Sequence, residues 1–294
     1  MEQEKIIKAG EIAIEIKKWI KPQIKKGTPL LEIAEKIENK IYELGGETAF
    51  PVNLSINEQA AHYTPEWEDK TLAHGLLKID FGVHIDGWIA DTAFSLDLEN
   101  SELNEKLILA SKEALNNVEK ELINDPTLGK IGKIVETTIN SHGFMPIINL
   151  SGHLMEKYDL HAGISVPNID NKSDFNIDLG LYAIEPFATN GSGKVHDGAK
   201  GNIYVLNSNN NPRNPLSREI LNYIKETHQT LPFASRWIIK KFGSKARLAL
   251  MQLEREEILH HYPILTEEKG KLISQAENTF LITEKEIVVT TKED

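Results

Sequence analysis

The sequence predicts an α+β protein in which two related α/β halves share antiparallel strands and a helical segment is inserted late in the chain. Three observations carry this expectation. Two helices, a histidine-bearing strand and a carboxylate-bearing strand are expected in residues 1–95 and again, in that order, over roughly 100–190. Leu76 to Leu98, LLKIDFGVHIDGWIADTAFSLDL, reads as a β-hairpin. From about Asn207 to Tyr262 the character changes to helix, behind the breaks at Pro212 and Pro215.

From Lys5 to Lys26, Ile6, Ile7, Ile12, Ile14, Ile16, Trp19 and Ile20 recur at three- and four-residue steps, which predicts an amphipathic helix kinked or ended at Pro22. Thr28-Pro29 reads as an N-cap and first-turn pair, and Leu30, Leu31, Ile33, Ile37 and Ile41 continue a second helix to Gly45-Gly46. Both are expected in a packed outer layer. Gly46 to Asn57 reads as a loop leading to AAHYTP, residues 60–65. Within the hairpin, Leu76–Phe81 and Trp88–Leu96 are the strands, with turn chemistry at His84-Ile85-Asp86-Gly87. A four-residue loop there makes paired residue numbers add to 171, setting Asp80 directly opposite Asp91 with Cβ atoms roughly 4.5–5.5 Å apart.

Glu102–Ile123 and Gly129–His142 form the second helical pair. The inserted segment, residues 207–262, carries helices near 216–229, 232–242 and 244–261. Its Arg236, Lys240, Lys241, Lys245 and Arg247 read as a solvated helical face, with contact to RNA phosphates as the alternative. Leu272–Thr283 and Ile287–Thr291, joined by Glu284-Lys285-Glu286, read as a closing hairpin.

Composition narrows the function. The 294 residues are 40% hydrophobic, enough for a sizeable core, and no run approaches the roughly 20 apolar residues of a membrane span. Glu2, Glu4 and Glu11 interrupt any apolar signal core, so a cytoplasmic location is expected. A net charge of −11 argues against general or sequence-specific nucleic-acid binding by the whole molecule. With no cysteine, a metal here takes oxygen and imidazole ligands.

Asp80 and Asp91 demand such a cation, because like charges facing each other across a ladder are destabilising. Glu185 in LYAIEPFAT and Glu277 in ISQAENTFLIT lie in apolar surroundings where an isolated carboxylate is costly to bury, although either, taken singly, has an outward-facing edge position as its second reading. His153, after a loop in NLSGH and before a turn or helix start, is either a ligand or a hydrogen-bonded structural residue. As a set the charges balance: four carboxylates against two divalent ions, with neutral His153 as a fifth ligand. A bridged pair of ions can lower the pKa of a shared water and polarise a carbonyl, which is hydrolase chemistry.

The motifs AAHYTP, KIDFGVHIDGWIADTAFS, NLSGH, LHAG, AIEPFAT and QAENTFLIT, in this order over essentially the whole chain, resemble type II methionine aminopeptidases of the short archaeal kind. The resemblance implies the pita-bread fold, two pseudo-symmetric α/β halves around a curved antiparallel sheet with a helical insertion, as one catalytic domain over 1–294. It implies metal ligands at Asp80, Asp91, His153, Glu185 and Glu277, two divalent ions (cobalt, manganese, iron or zinc), and a water bridging them that attacks the scissile carbonyl. Glu185 is the implied proton shuttle. His62 in AAHYTP and His161 in LHAG are implied to contact the substrate amide and carbonyl, and Phe50, Leu160, His196 and Tyr262 to line the methionine pocket. The implied substrates are peptides and nascent chains beginning with Met and a small second residue, with contact to the ribosome; a monomer is expected. Two rivals remain: an Xaa-Pro dipeptidase or aminopeptidase of the same fold, which usually carries an N-terminal domain where only about 60 residues precede His62, and a non-catalytic scaffold of this fold binding RNA or protein.

Overall fold

The computed structural model describes residues 2–293. Helix α1 (Glu2–Ile20) turns Ile6, Ile12, Ile16 and Ile20 inward and gives way to a 3-10 turn, Lys21–Gln23, at Pro22. Helix α2 (Leu30–Glu43) starts one residue later than the Thr28 cap predicts. Pro29 is its N-cap, without a side-chain cap, and the Thr28 hydroxyl instead accepts from Lys25 N at 3.1 Å, closing the preceding turn. The next segment is not a loop: Glu47–Ile56 forms strand β1. Nearly all of it is buried, so it shows no polar–apolar alternation, and irregular pairing between Thr48 and Asn53 accommodates Pro51. Strands β2 (Gln59–Ala61), β3 (Leu76–Ile85) and β4 (Trp88–Asp97) complete the first half.

The β3–β4 hairpin is tighter than expected. Its turn is the two residues Asp86 and Gly87, at φ 50° and 85°, and the register pairs Ile85 with Trp88, Gly82 with Asp91 and Asp80 with Ala93. Asp80 and Asp91 are therefore diagonal rather than directly opposite. A two-residue slip in paired numbers preserves the face, so both still project to the same side.

The second half repeats the plan: α3 (Glu102–Leu122) and α4 (Leu128–Ser141), N-capped by Ser101 and Thr127, then β5 (Met145–Pro146), β6 (Ser151–Met155), β7 (Ser165–Pro167), β8 (Gly180–Ile184), β9 (Phe187–Thr189) and β10 (His196–Leu206). There follow α5 (Pro215–Thr227), β11 (Phe233–Ala234), α6 (Ser235–Phe242), α7 (Ala246–Arg255), β12 (Leu259–Thr266), β13 (Ile273–Gln275), β14 (Asn278–Ile282) and β15 (Ile287–Val289). The predicted third helix of the late segment runs too far, since Leu259–Thr266 pairs with β10. The strands order as β1-β3-β4, β11-β10-β12-β2, β13-β9-β5 and β15-β14-β8-β6-β7, all antiparallel. Helices α1 and α2 form one core on β1, β3 and β4; α3 and α4 form a second with residues of β7, β8 and β14. Each buried Ile or Leu in them contributes about 1.5–3 kcal/mol, which is what docks the helices. Among the described residues no helix is long and apolar enough to cross a membrane.

The halves meet where β4 runs beside β13 and β14, and side-chain hydroxyls replace much of the main-chain ladder there. Thr279 Oγ1 accepts from Asp91 N and donates to Asp91 O, each at 2.7 Å. Glu277 N donates to Ala93 O at 3.1 Å, and Thr92 Oγ1 donates to Glu277 O at 3.0 Å. Ser95 Oγ donates to Gln275 O at 2.8 Å and accepts from Gln275 N at 2.9 Å. The buried Lys17 ammonium of α1 donates to Thr92 Oγ1 at 3.0 Å and to Thr291 O at 2.5 Å, fixing the seam from behind.

Arg236 belongs neither to a solvated face nor to an RNA surface. It is 2% exposed, paired with the equally buried Glu38 of α2, and donates to Thr64 Oγ1 at 2.6 Å and Pro65 O at 3.0 Å. Trp237 Nε1 donates to the other Glu38 oxygen at 2.9 Å. Burial, only partly offset by Arg236, holds the Glu38 carboxyl above its usual range. The pair ties the late helices to α2 and to the loop that follows His62. Arg236→Ala leaves a buried charge without its partner, so denaturant unfolding is expected to show a loss of about 3–5 kcal/mol; a loss below about 1 kcal/mol contradicts this role.

Candidate metal and peptide site

One cavity of about 390 Å³ opens where the two halves face each other. Asp80 and Asp91 enter it from β3 and β4. His153 enters from β6, where it pairs with Ser165 and Ala183, so it stands on a strand rather than between a loop and a turn. Glu185 follows the last residue of β8, and Glu277 lies between β13 and β14, bridged to Ala93. Glu185 and Glu277 are thus strand-end residues, freed from the alternation that an edge position would impose.

The five side chains converge. Ligand atoms of Asp91, His153 and Glu277 all lie within 4.8 Å of one another. His153 Nε2 is 3.7 Å from Asp91 Oδ2 and 3.9 Å from Glu185 Oε1. Gln275 Nε2 reaches Asp80 Oδ2 and Glu185 Oε2, each at 3.4 Å, and joins the two remaining carboxyls. Among the described residues, Asp80 Oδ1, Asp91 Oδ1 and Glu277 Oε2 are buried without any hydrogen-bond partner.

Electrostatics follow from that crowding. Burial pushes Asp80 up to about 7, with Gln275 opposing. Asp91 is pushed well above the carboxylate range by burial and then by Asp80; Glu185 by burial and then by Asp80 and Asp91; Glu277 by burial and then by Asp91, Glu185 and Asp80. Burial, helped by His161, lowers His153 to about 3, leaving a neutral imidazole. Neutral imidazole, hard oxygen donors and orphaned buried lone pairs are the donor set that a divalent cation requires, so these residues fit a metal centre.

His62 and His161 line the same cavity. His62 sits just past β2 at φ 67°, a backbone conformation that few residues other than glycine adopt. Its Nδ1 is 3.1 Å from Pro263 O, which can only accept, so the proton is on Nδ1 and Nε2 offers a lone pair. Burial lowers His62 to about 4, keeping the ring neutral. His161 packs edge-on against His153 with ring centroids 4.4 Å apart, and burial lowers its pKa.

Of the expected pocket residues, Phe50, Leu160 and Tyr262 line the cavity. Phe50 packs close against Gly82, where an added Cβ would come within 2.4 Å of its ring, and Tyr262 meets His62 edge-on at 5.1 Å. His196 does not join them: it is exposed at the outer end of β10, opposite Thr266, and lies outside the cavity lining. Sequence reasoning overlooked Gln275, two residues before Glu277 in QAEN, and Asn53, buried in the cavity wall opposite Asp80. The two-residue spacing to Glu277 is the signal that could have found Gln275; Asn53 was hidden in the supposed loop.

Comparison with known proteins agrees with this geometry. The model of metallopeptidase family M24 matches residues 4–203. A methionine aminopeptidase of Methanocaldococcus jannaschii is 47% identical over 98% of each chain. Among solved structures, a thermophilic Arx1 superposes with TM-score 0.80 at 17% identity, covering 97% of this chain and 89% of that one. The methionine aminopeptidase of Thermotoga maritima gives 0.70 at 19%, covering 99% and 96%. The two structural likenesses carry the fold alone, and that fold is the pita-bread fold. By family model and by sequence identity over nearly its full length, this chain belongs to metallopeptidase family M24, among the methionine aminopeptidases.

Proposed function

We propose that the chain removes N-terminal methionine from peptides and nascent proteins, preferring a small second residue, with Asp80, Asp91, His153, Glu185 and Glu277 holding two divalent ions. The observation that carries this reading is the convergence of four buried carboxyls and one neutral imidazole on a cavity whose walls include Phe50, Leu160 and Tyr262. Bound divalent ions would supply an acidified water and a polarised carbonyl.

The chain's own residues do the rest. Glu185 is placed to hold the proton released from the attacking water and return it to the leaving amine. His62, with its proton committed to Pro263 O, offers Nε2 as an acceptor for the substrate amide N–H. His161 stands beside His153 to donate toward the developing oxyanion, and it is most effective in a water-poor site. The apolar wall formed by Phe50, Leu160 and Tyr262 takes the methionine side chain. Such substrates are met in the cytoplasm at the ribosome, by a monomeric enzyme. The 47% identical relative named methionine aminopeptidase favours this over Xaa-Pro cleavage.

A series of Met-Xaa peptides tests the reading: metal-dependent release of free methionine is expected, falling as Xaa grows. Release of Xaa from Xaa-Pro peptides with none of Met from Met-Gly reverses it. His62→Ala is expected to lower kcat about a hundredfold while bound metal, measured by elemental analysis, stays unchanged; unchanged turnover removes His62 from the mechanism.

A further inference from the structure

We propose that Tyr158 is a positioning residue for methionine selectivity: seated on the β3–β4 turn, it sets the loop that carries Leu160 and His161. This rests on the peptidase reading above. Tyr158 lies at the tip of the turn Glu156–Asp159, whose ends exchange backbone hydrogen bonds at 2.8 and 3.0 Å. Leu160 and His161, both cavity residues, follow directly, and Asp159 Oδ1 accepts from His161 N at 3.2 Å.

Three ties hold the tip. Tyr158 N donates to Gly87 O at 2.9 Å, in the turn of the other half. The Tyr158 ring covers Gly87 so closely that a Cβ there would lie 2.4 Å from ring carbons, and it meets His84 edge-on at 5.6 Å. His84 in turn accepts from Gly87 N through Nδ1 at 3.1 Å, stiffening the seat. The Thr230 hydroxyl, from the late segment, donates to Tyr158 O. Tyr158 itself holds φ 59°, a left-handed conformation that a non-glycine residue keeps only when its surroundings impose it.

Packing carries the position inward. Tyr158 adjoins the apolar cluster that contains Phe50, Leu160 and Leu231. A shift of the tip moves Leu160 against Phe50 and turns His161 away from His153. Ring and backbone hold the seat, while Tyr158 makes no tie through its hydroxyl among the hydrogen bonds described, so phenylalanine should replace it.

The test uses the metal-loaded full chain, comparing kcat and KM for Met-Ala-Ser with those for Leu-Ala-Ser. Tyr158→Ala is expected to raise KM for the Met peptide about tenfold and to narrow the Met-over-Leu ratio by a similar factor. Tyr158→Phe is expected to stay within about twofold on both. If Tyr158→Ala does not fold, Gly87→Asn gives the same readout, because asparagine tolerates the positive φ while its Cβ displaces the ring. A Met-over-Leu ratio unchanged within twofold in the folded variant overturns the role of Tyr158. A wild-type enzyme that releases no methionine fails the peptidase reading instead.

Discussion

Four carboxyl groups brought into one buried volume are the constraint on which this structure depends. Two unit charges 4 Å apart repel by about 4 kcal/mol even at an effective dielectric constant of 20. A hydrogen bond across the seam returns only about 1 kcal/mol. Asp80, Asp91, Glu185 and Glu277 therefore cannot all stay ionised on the strength of the scaffold alone: burial raises all four pKa values, and repulsion from neighbouring carboxyls adds to it at Asp91, Glu185 and Glu277. A divalent cation resolves it, and metal use is the property of the family to which the chain belongs.

The scaffold's part is to keep the carboxyls from drifting apart. Glu277 comes from the second half and Asp91 from the first, so nothing local in sequence joins them. Thr279, Thr92 and Ser95 clip β4 to β13, to β14 and to Glu277 between them, in places by accepting and donating with one hydroxyl. Lys17 braces Thr92 from behind, and Arg236 with Glu38 binds the late helices to the loop after His62. Burial in the same walls lowers the pKa values of His62 and His161, which line the cavity beside the carboxyls.

Much of this was legible because it depends on face and spacing. The parity of Asp80 and Asp91 survives an error in register, so the hairpin exposed the charge conflict although its turn proved to be Asp86-Gly87. Strand β1 was missed for a physical reason: burial on both faces erases alternation, and Pro51 imitates a breaker. With it went Asn53. Arg236 was misread because a buried, paired cation looks like any other in a charged helix. Tyr262 lines the cavity, yet the first three residues of its strand, 259–261, fall within the helix expected over 244–261, since pairing with β10 is a tertiary fact. His196, assigned by motif, is exposed at the first residue of β10 and is not among the residues that line the cavity.

The most direct test of the central claim is calorimetric titration of metal-free protein with manganese(II). Saturable uptake of two ions per chain is expected, with Glu277→Gln and Asp91→Asn each binding fewer or far more weakly. Absence of saturable binding in the wild-type chain, or binding unchanged in both variants, would contradict it.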